Sequence, residues 1–485
     1  MLDAHDNAYL VVGPAALLVF IVVYSVVASR KVRTYEDFAI AGRGVSVVPL
    51  VLTMMGTAIG GSTVLGFSTS GYTLGIGRSW EIIPAYLVFV FIIVLMLRAI
   101  RNVGIRHSLI TIPDYVALRY GERGRLPATL SILIAYAALT GIQYTAIAGF
   151  LHVVAGIDIR VGILIGWLVL TAKTCLGGLK AVIRSDVIQG FIQNVGILIV
   201  LGGLLVFAGG ARGSSQAVAA IGDGDFLNPF SMPVGEVAVF ALTLGGYQIV
   251  RQDVWQRIWA AKDTGAATRA FSYATVFAFV LTMGVFAIGS FGRLAGVHVE
   301  NPALAFYAIS SEILPGPLLA VVVTALIATI VSAADSNLVA GASSVVNDIL
   351  KPALRLTDDR QLLRYGRYSV VITSTAALLL ALYIPRLVEL WVTGSAMLTS
   401  GLLAPVIAAF FWRRATRTAG VTAIWGGLTA AVTWQVIGHP FGVHPVLVGL
   451  PTSIALIVVV SLLDRRATDP VAEQLLYRSN RSPAT

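Results

Sequence analysis

Charge and cysteine are what this chain has least of. Only 12% of its 485 residues are charged, against 57% hydrophobic, whereas soluble domains carry about 25% charged residues. A fully water-exposed surface is thereby excluded. The one cysteine, Cys175, excludes an internal disulfide and a cysteine-knuckle metal site. The six histidines fall mostly at the ends of apolar runs and form no Ser/His/Asp or His-rich cluster at membrane depth, so an enzyme is not expected. The first residues, MLDAHDNAYLV, are acidic and lack a basic leader. The first apolar run therefore reads as a retained helix and not a cleaved signal.

What the chain has instead is apolar runs of about 20 residues, each long enough to cross a hydrocarbon core roughly 30 Å thick. The expected class is an all-α polytopic membrane protein with thirteen spans. These lie near 9–29, 47–74, 80–99, 127–154, 160–176, 187–208, 235–256, 269–293, 315–345, 368–386, 388–411, 418–437 and 445–463. An odd count puts the termini on opposite faces. Alternate loops at 30–46, 98–126, 177–186, 251–269, 346–368 and 412–417, with the tail from 464, hold 28 of the 34 Lys and Arg. That asymmetry predicts the N-terminus outside and the C-terminus in the cytoplasm of a plasma-membrane protein. The net charge of +10 is scattered singly and in pairs, a pattern that sets topology against lipid and does not suit a nucleic-acid partner. The outer loop 209–234 and the tail 464–485 are the segments expected to be mobile.

Two spans carry mid-membrane glycines: "TMMGTAIGGST" with Gly56, Gly60 and Gly61, and "ALTLGGYQIV" with Gly245 and Gly246. Such glycines weaken a helix and free backbone carbonyls that lipid cannot satisfy, although they also serve close helix packing. The two spans are five helices apart. Each opens a five-helix unit, 47–208 and 235–411, the second inverted because five is odd, with 412–463 as two extra helices. Interrupted helices at matching places in inverted halves point to a transport site near the midplane.

The ninth span contains "IVSAADSNLVAGASSVVNDIL", residues 330–350. Asp335 lies 13 residues before Asp348, roughly 20 Å along a helix and so near mid-membrane. A carboxylate there faces the protein interior and has a partner or a function. Thr329, Ser332 and Ser336 make one polar stripe at i, i+3 and i+7. Hydroxyls and freed carbonyls are hard oxygen ligands suited to an alkali cation, while close packing and back-bonding to their own helix account for small polar residues equally well.

That stretch resembles the corresponding helix of the solute:sodium symporter family. "YEDFAIAGRGVSVVP", "TIPDYVALRYG", "GGLKAVIRSDVIQG" and "RQDVWQRIWAAKD" resemble it too, in order and spacing from residue 34 to about 420. The resemblance implies a leucine-transporter-type fold, in agreement with the five-plus-five pattern, and sodium-coupled import of a small polar organic solute by alternating access, with no organic cofactor. It places sodium on backbone oxygens of Gly56, Ile59 and Thr329 and the hydroxyl of Ser332. A second hydroxyl usual in the family is Ala333 here. In two-sodium members the second ion falls at positions that are Asp186, Asp335 and Ser336 here. These residues serve a second cation or, in the alternative of proton coupling, a proton path. A membrane-embedded sensor, an architecture the family sometimes joins to a kinase, is the rival class.

Beside the two breaks the candidate solute contacts are Thr57, Thr63, Glu81, Gln143, Tyr247 and Gln248. Glu81 falls within one residue of the sugar-contacting glutamate of the family's galactose carriers, but Thr63 and Ala138 replace two of their amides. Lys173 reads as a lysine snorkelling to the interface or as an internal ammonium replacing a cation. Asp186 reads as a helix cap or a member of the ion path. Asp253, Arg257 and Asp348 read as ion pairs at cytoplasmic helix ends, and Trp80 and Trp391 as interface anchors. The solute's identity and the oligomeric state are not legible.

Overall fold

The computed structural model describes residues 8–30, 32–175, 177–207, 225–384 and 387–464. The expected mobile segments fall largely outside these residues. The part of the outer loop that is described is packed: the Phe226 carbonyl accepts a 3.0 Å hydrogen bond from Ile76 N–H, and Phe226 is buried.

Every regular element among the described residues is helical. In chain order they are α1 (Ala8–Ser29), α2 (Tyr35–Ile40), α3 (Val47–Ala58), α4 (Ser62–Leu74), α5 (Ile76–Arg106) and α6 (Ile112–Tyr120). Next come α7 (Arg125–Ala155), α8 (Ile159–Thr174), α9 (Gly178–Phe207), α10 (Val234–Phe240), α11 (Gln252–Ala260) and α12 (Thr264–Leu294). The rest are α13 (Ala305–Ile313), α14 (Gly316–Leu354), α15 (Asp359–Tyr383), α16 (Leu387–Phe411), α17 (Arg417–Val436) and α18 (Val446–Leu463). Among the described residues nine helices are long and apolar enough to cross a membrane, or ten if α3 and α4 count as one bent span. The other three expected spans correspond to α8, the interrupted α10–α11 segment, and α17, which fall short of those limits.

Helix α14 is the axis of the molecule. It packs against α1, α3, α7, α9 and α15, and 72% of its apolar window is buried. Small residues make this possible: a Cβ on Gly196 of α9 would lie 2.3 Å from the Ala325 methyl of α14. Filling that gap would force the helices apart, at a cost of about 1–3 kcal/mol. Close backbone approach of this kind is how helices associate in lipid, where burial of apolar surface provides little drive.

Both expected interruptions are present, with a difference in position. Between α3 and α4 the axis bends by 51°, and Ile59 leaves the helix at φ −107°, ψ 88°. In the second, Gly245 and Gly246 stay helical, in a π turn running into a 3-10 turn. The chain becomes extended only at Arg251 (φ −70°, ψ 115°). Glycines permit a break without dictating one, and wide and tight turns absorb them here.

Candidate cation and solute site

Helices α3, α9 and α14 supply the candidate cation site. Where α3 ends, Gly56 faces Ser332 of α14 so closely that an added Cβ would sit 2.5 Å from the serine Oγ. Ser332 Oγ donates to Asp186 Oδ1 of α9 at 2.6 Å, and Thr53 Oγ1 of α3 donates to Asp186 Oδ2 at 2.5 Å. Asp186 is therefore no helix cap: it is fully buried, eight residues inside α9, and ties α3 to α14. The Thr329 hydroxyl back-bonds to Ala325 O at 2.8 Å, which leaves its carbonyl as the oxygen to consider. The methyl of Ala333 faces the break, 3.1 Å from a Cβ built on Gly60. Gly56, Ile59, Thr329 and Ser332 are thus brought to the junction of α3 and α14, all buried.

The break itself is held by side chains. Thr63 Oγ1 donates to Ala58 O at 3.2 Å and accepts from Gly60 N–H at 3.4 Å. Gln143 Oε1 of α7 accepts from Gly61 N–H at 3.1 Å. Here side chains satisfy backbone groups released by the bend, as a membrane interior requires.

Below the break lies a buried ionic network. Arg257 of α11 donates to Thr57 and Ser336 hydroxyls at 2.6 Å each and to Thr53 at 3.0 Å. Its guanidinium is 3.8 Å from both Asp186 and Asp253 carboxylates. Arg251 pairs with Asp253 through two hydrogen bonds of 2.6 and 3.0 Å, donates to Gln248 Oε1 at 3.0 Å, and lies over the Tyr247 ring. Asp335 accepts from Lys173 Nζ of α8 and, at 2.6 Å, from Thr174 Oγ1.

Several expectations change accordingly. Lys173 does not snorkel: its side chain is 4% exposed and ion-paired to Asp335. Asp253 and Arg257 do pair, at 3.8 Å, in the first and last turns of the short helix α11, but both are fully buried, and Arg257 reaches on to α3 and α14. Asp348 does form an ion pair, to Arg125 at 3.2 Å. Trp391 is no interface anchor; it is buried against Phe67, ring centroids 5.6 Å apart. The six solute candidates divide into three places. Thr63 and Gln143 meet at the first break; Thr57, Tyr247 and Gln248 belong to the arginine network; Glu81 is held at the far end of the bundle by Arg78 at 2.6 Å and Ser70 at 3.1 Å.

Residues the sequence reading passed over include Gln189 and Gln193 of α9, both fully buried, whose amides make no hydrogen bond among the described residues. Their spacing from Asp186, at i+3 and i+7 on one face, was the available signal.

A cavity of about 580 Å³, lined by Leu65, Gly66, Thr145, His152, Asn301 and Glu389 among others, lies toward the face opposite the basic loops. Between the first break and the basic loops a void of about 20 Å³ lies among Thr57, Tyr86, Arg251 and Arg257, and two pockets of about 400 and 330 Å³ lie among the basic loops themselves, beside Arg125 and Lys351 and beside Lys180 and Arg184.

Comparison with known proteins places the fold and the family. The chain is 26% identical over 463 residues to a sodium/pantothenate symporter of Escherichia coli (strain K12), covering 90% of this chain and 93% of that one. It is 26% identical to the human sodium/iodide cotransporter, covering 90% and 71%, and 22% identical to a high-affinity proline transporter of Bacillus subtilis (strain 168), covering 92% and 96%. Its fold matches the substrate-bound outward-open state of a Na+-coupled sialic acid symporter, with TM-score 0.81 at 18% identity over 95% of this chain and 99% of that one. The family model for the sodium:solute symporter family matches residues 38–429, and the chain belongs to that family.

Proposed function

We propose that this symporter imports a small polar organic solute together with one sodium ion, bound by the carbonyls of Gly56, Ile59 and Thr329 and the hydroxyl of Ser332. The observation that carries the reading is the apposition of Gly56 and Ser332 across α3 and α14, with the Asp186 carboxylate one hydroxyl behind. Hard, mostly neutral oxygens from two elements, backed by one negative charge, fit an alkali cation. The chain crosses the membrane thirteen times in this reading, with its N-terminus outside, its C-terminus cytoplasmic and its core built as the inverted repeats 47–208 and 235–411. The 580 Å³ cavity then opens outward, and the solute sits at its floor beside Thr63 and Gln143. The solutes for which the relatives are named range from pantothenate and proline to iodide, which supports a small solute without selecting one. Proton coupling through Asp335 fits less well, because that carboxylate is already paired with Lys173.

Two measurements test this. Sodium should raise the melting temperature of purified protein where choline does not, since a ligand at a hundred times its Kd stabilises the folded state by about 2.7 kcal/mol. A screen of solutes in sodium should then show further shifts, and proteoliposome uptake of any hit should need a sodium gradient. Uptake driven by a proton gradient and indifferent to sodium overturns the proposal. Within this reading, Ala333→Ser adds a hydroxyl beside the break. Half-saturating sodium should fall roughly five-fold, the worth of about 1 kcal/mol for one neutral ligand. The sodium titration of melting temperature reads this directly.

A further inference from the structure

We infer that Lys173 is a built-in cation standing where a second sodium ion would bind, so that each chain holds one sodium and no more. The inference rests on the sodium site proposed above and concerns the oxygens of Asp186, Asp335 and Ser336. Each already has a partner within the protein. Asp335 has both carboxylate oxygens engaged, Oδ2 by the Lys173 ammonium and Oδ1 by Thr174. The Ser336 hydroxyl is held by Arg257 at 2.6 Å and lies 3.0 Å from Thr57 Oγ1. Asp186 accepts from Thr53 and Ser332, with Arg257 at 3.8 Å.

Charge leads to the same result. Asp253 is matched by the two hydrogen bonds from Arg251, Asp335 by Lys173, and Asp186 faces Arg257. In this network Asp253 and Asp335 are each spent on a directly bonded cation, whereas Asp186, with Arg257 held off at 3.8 Å, is the carboxylate left to back the first ion, and none remains for a second. An ammonium and a sodium ion carry the same charge and compete for the same oxygens. The ammonium is delivered by a side chain fixed on α8, so it gives up no translational freedom on binding, whereas a free ion does. A sodium ion added to this buried region without displacing Lys173 would meet an uncompensated positive charge.

The experiment is saturation binding of radioactive sodium-22 to the purified protein in detergent, in sodium-free choline buffer. The wild type should take up one equivalent per chain. Two equivalents overturn the inference while leaving the proposed symport intact; none overturns the sodium site on which it rests. Lys173→Met strips Asp335 of its counterion and should bring binding to two equivalents. Binding that stays at one equivalent assigns Lys173 a structural role and refutes the built-in cation. Should Lys173→Met fail to fold, Lys173→Met with Asp335→Asn removes both charges together. That variant should hold one equivalent with a half-saturation within about two-fold of wild type. Loss of binding there would show that the pair belongs to the first sodium site, and the inference would fall.

Discussion

Asp186→Asn should weaken sodium binding thirty- to a hundred-fold. The carboxylate is fully buried and separated from the proposed ion by a single hydroxyl, that of Ser332. A unit charge at such a separation contributes about 2–3 kcal/mol at the effective dielectric of a protein site. Asparagine keeps the shape and one acceptor but loses the charge, and its amide nitrogen must face either Thr53 or Ser332, both of which now donate to the carboxylate. Folding should survive, because Arg257 retains its bonds to Thr53, Thr57, Ser336 and the Asp253 carbonyl. The check is the sodium titration of melting temperature, with the sodium-free melting point as the control for folding. An unchanged half-saturation would reduce Asp186 to a brace between α3 and α14.

Removing Arg257 should open the side of the molecule that carries the basic loops. Its guanidinium joins α11 to both α3 and α14, and hydrogen bonds from a charged donor contribute about 1.5–3 kcal/mol each. Arg257→Gln cannot span the three hydroxyls at once, so the closed arrangement loses several kcal/mol relative to one in which α11 has moved away. The chain's one cysteine makes a clean test available. With Cys175→Ser as background, Ala274→Cys places a thiol in the small void beside Arg257. Labelling of that thiol by an impermeant maleimide, applied to the basic-loop face of inside-out vesicles, should accelerate more than ten-fold on Arg257→Gln. Equal rates in the two backgrounds would mean that other contacts keep this face closed.

How much of this could be read from residues alone depends on how local each feature is. The polar face of α14 was legible because Thr329, Ser332, Asp335 and Ser336 repeat at helical spacing within one span. The first bend was legible because the chain leaves the helix at Ile59, immediately before the glycine pair Gly60 and Gly61. The partner of Asp335 was not, since Lys173 is 162 positions away and a lysine in the last turn of a helix looks the same whether it turns to the interface or inward. Trp391 was misread for the same reason: composition places an indole near a helix end, but only packing shows that it lies buried against Phe67. The second break was displaced because two glycines inside a helix can be accommodated by wide and tight turns, moving the extended residue on to Arg251. Glu81 had a warning in its neighbourhood. Arg78 stands three residues before it, close enough to claim its carboxylate before any solute can.

The missing Cβ at Gly56 has a consequence for how such a machine keeps time. In the proposed sodium site, a cradle contributed half by α3 and half by α14 would act as a gauge of the gap between them, since Gly56 sits hard against Ser332 and the proposed oxygens would part as the helices did. An ion in place makes separation of the two helices costly, and separation makes the ion easy to lose; by linkage the two effects are the same size. No relay of side chains is needed to tell the protein whether its sodium is aboard. The width of one gap carries that message, and the gap is set by an atom that glycine does not have.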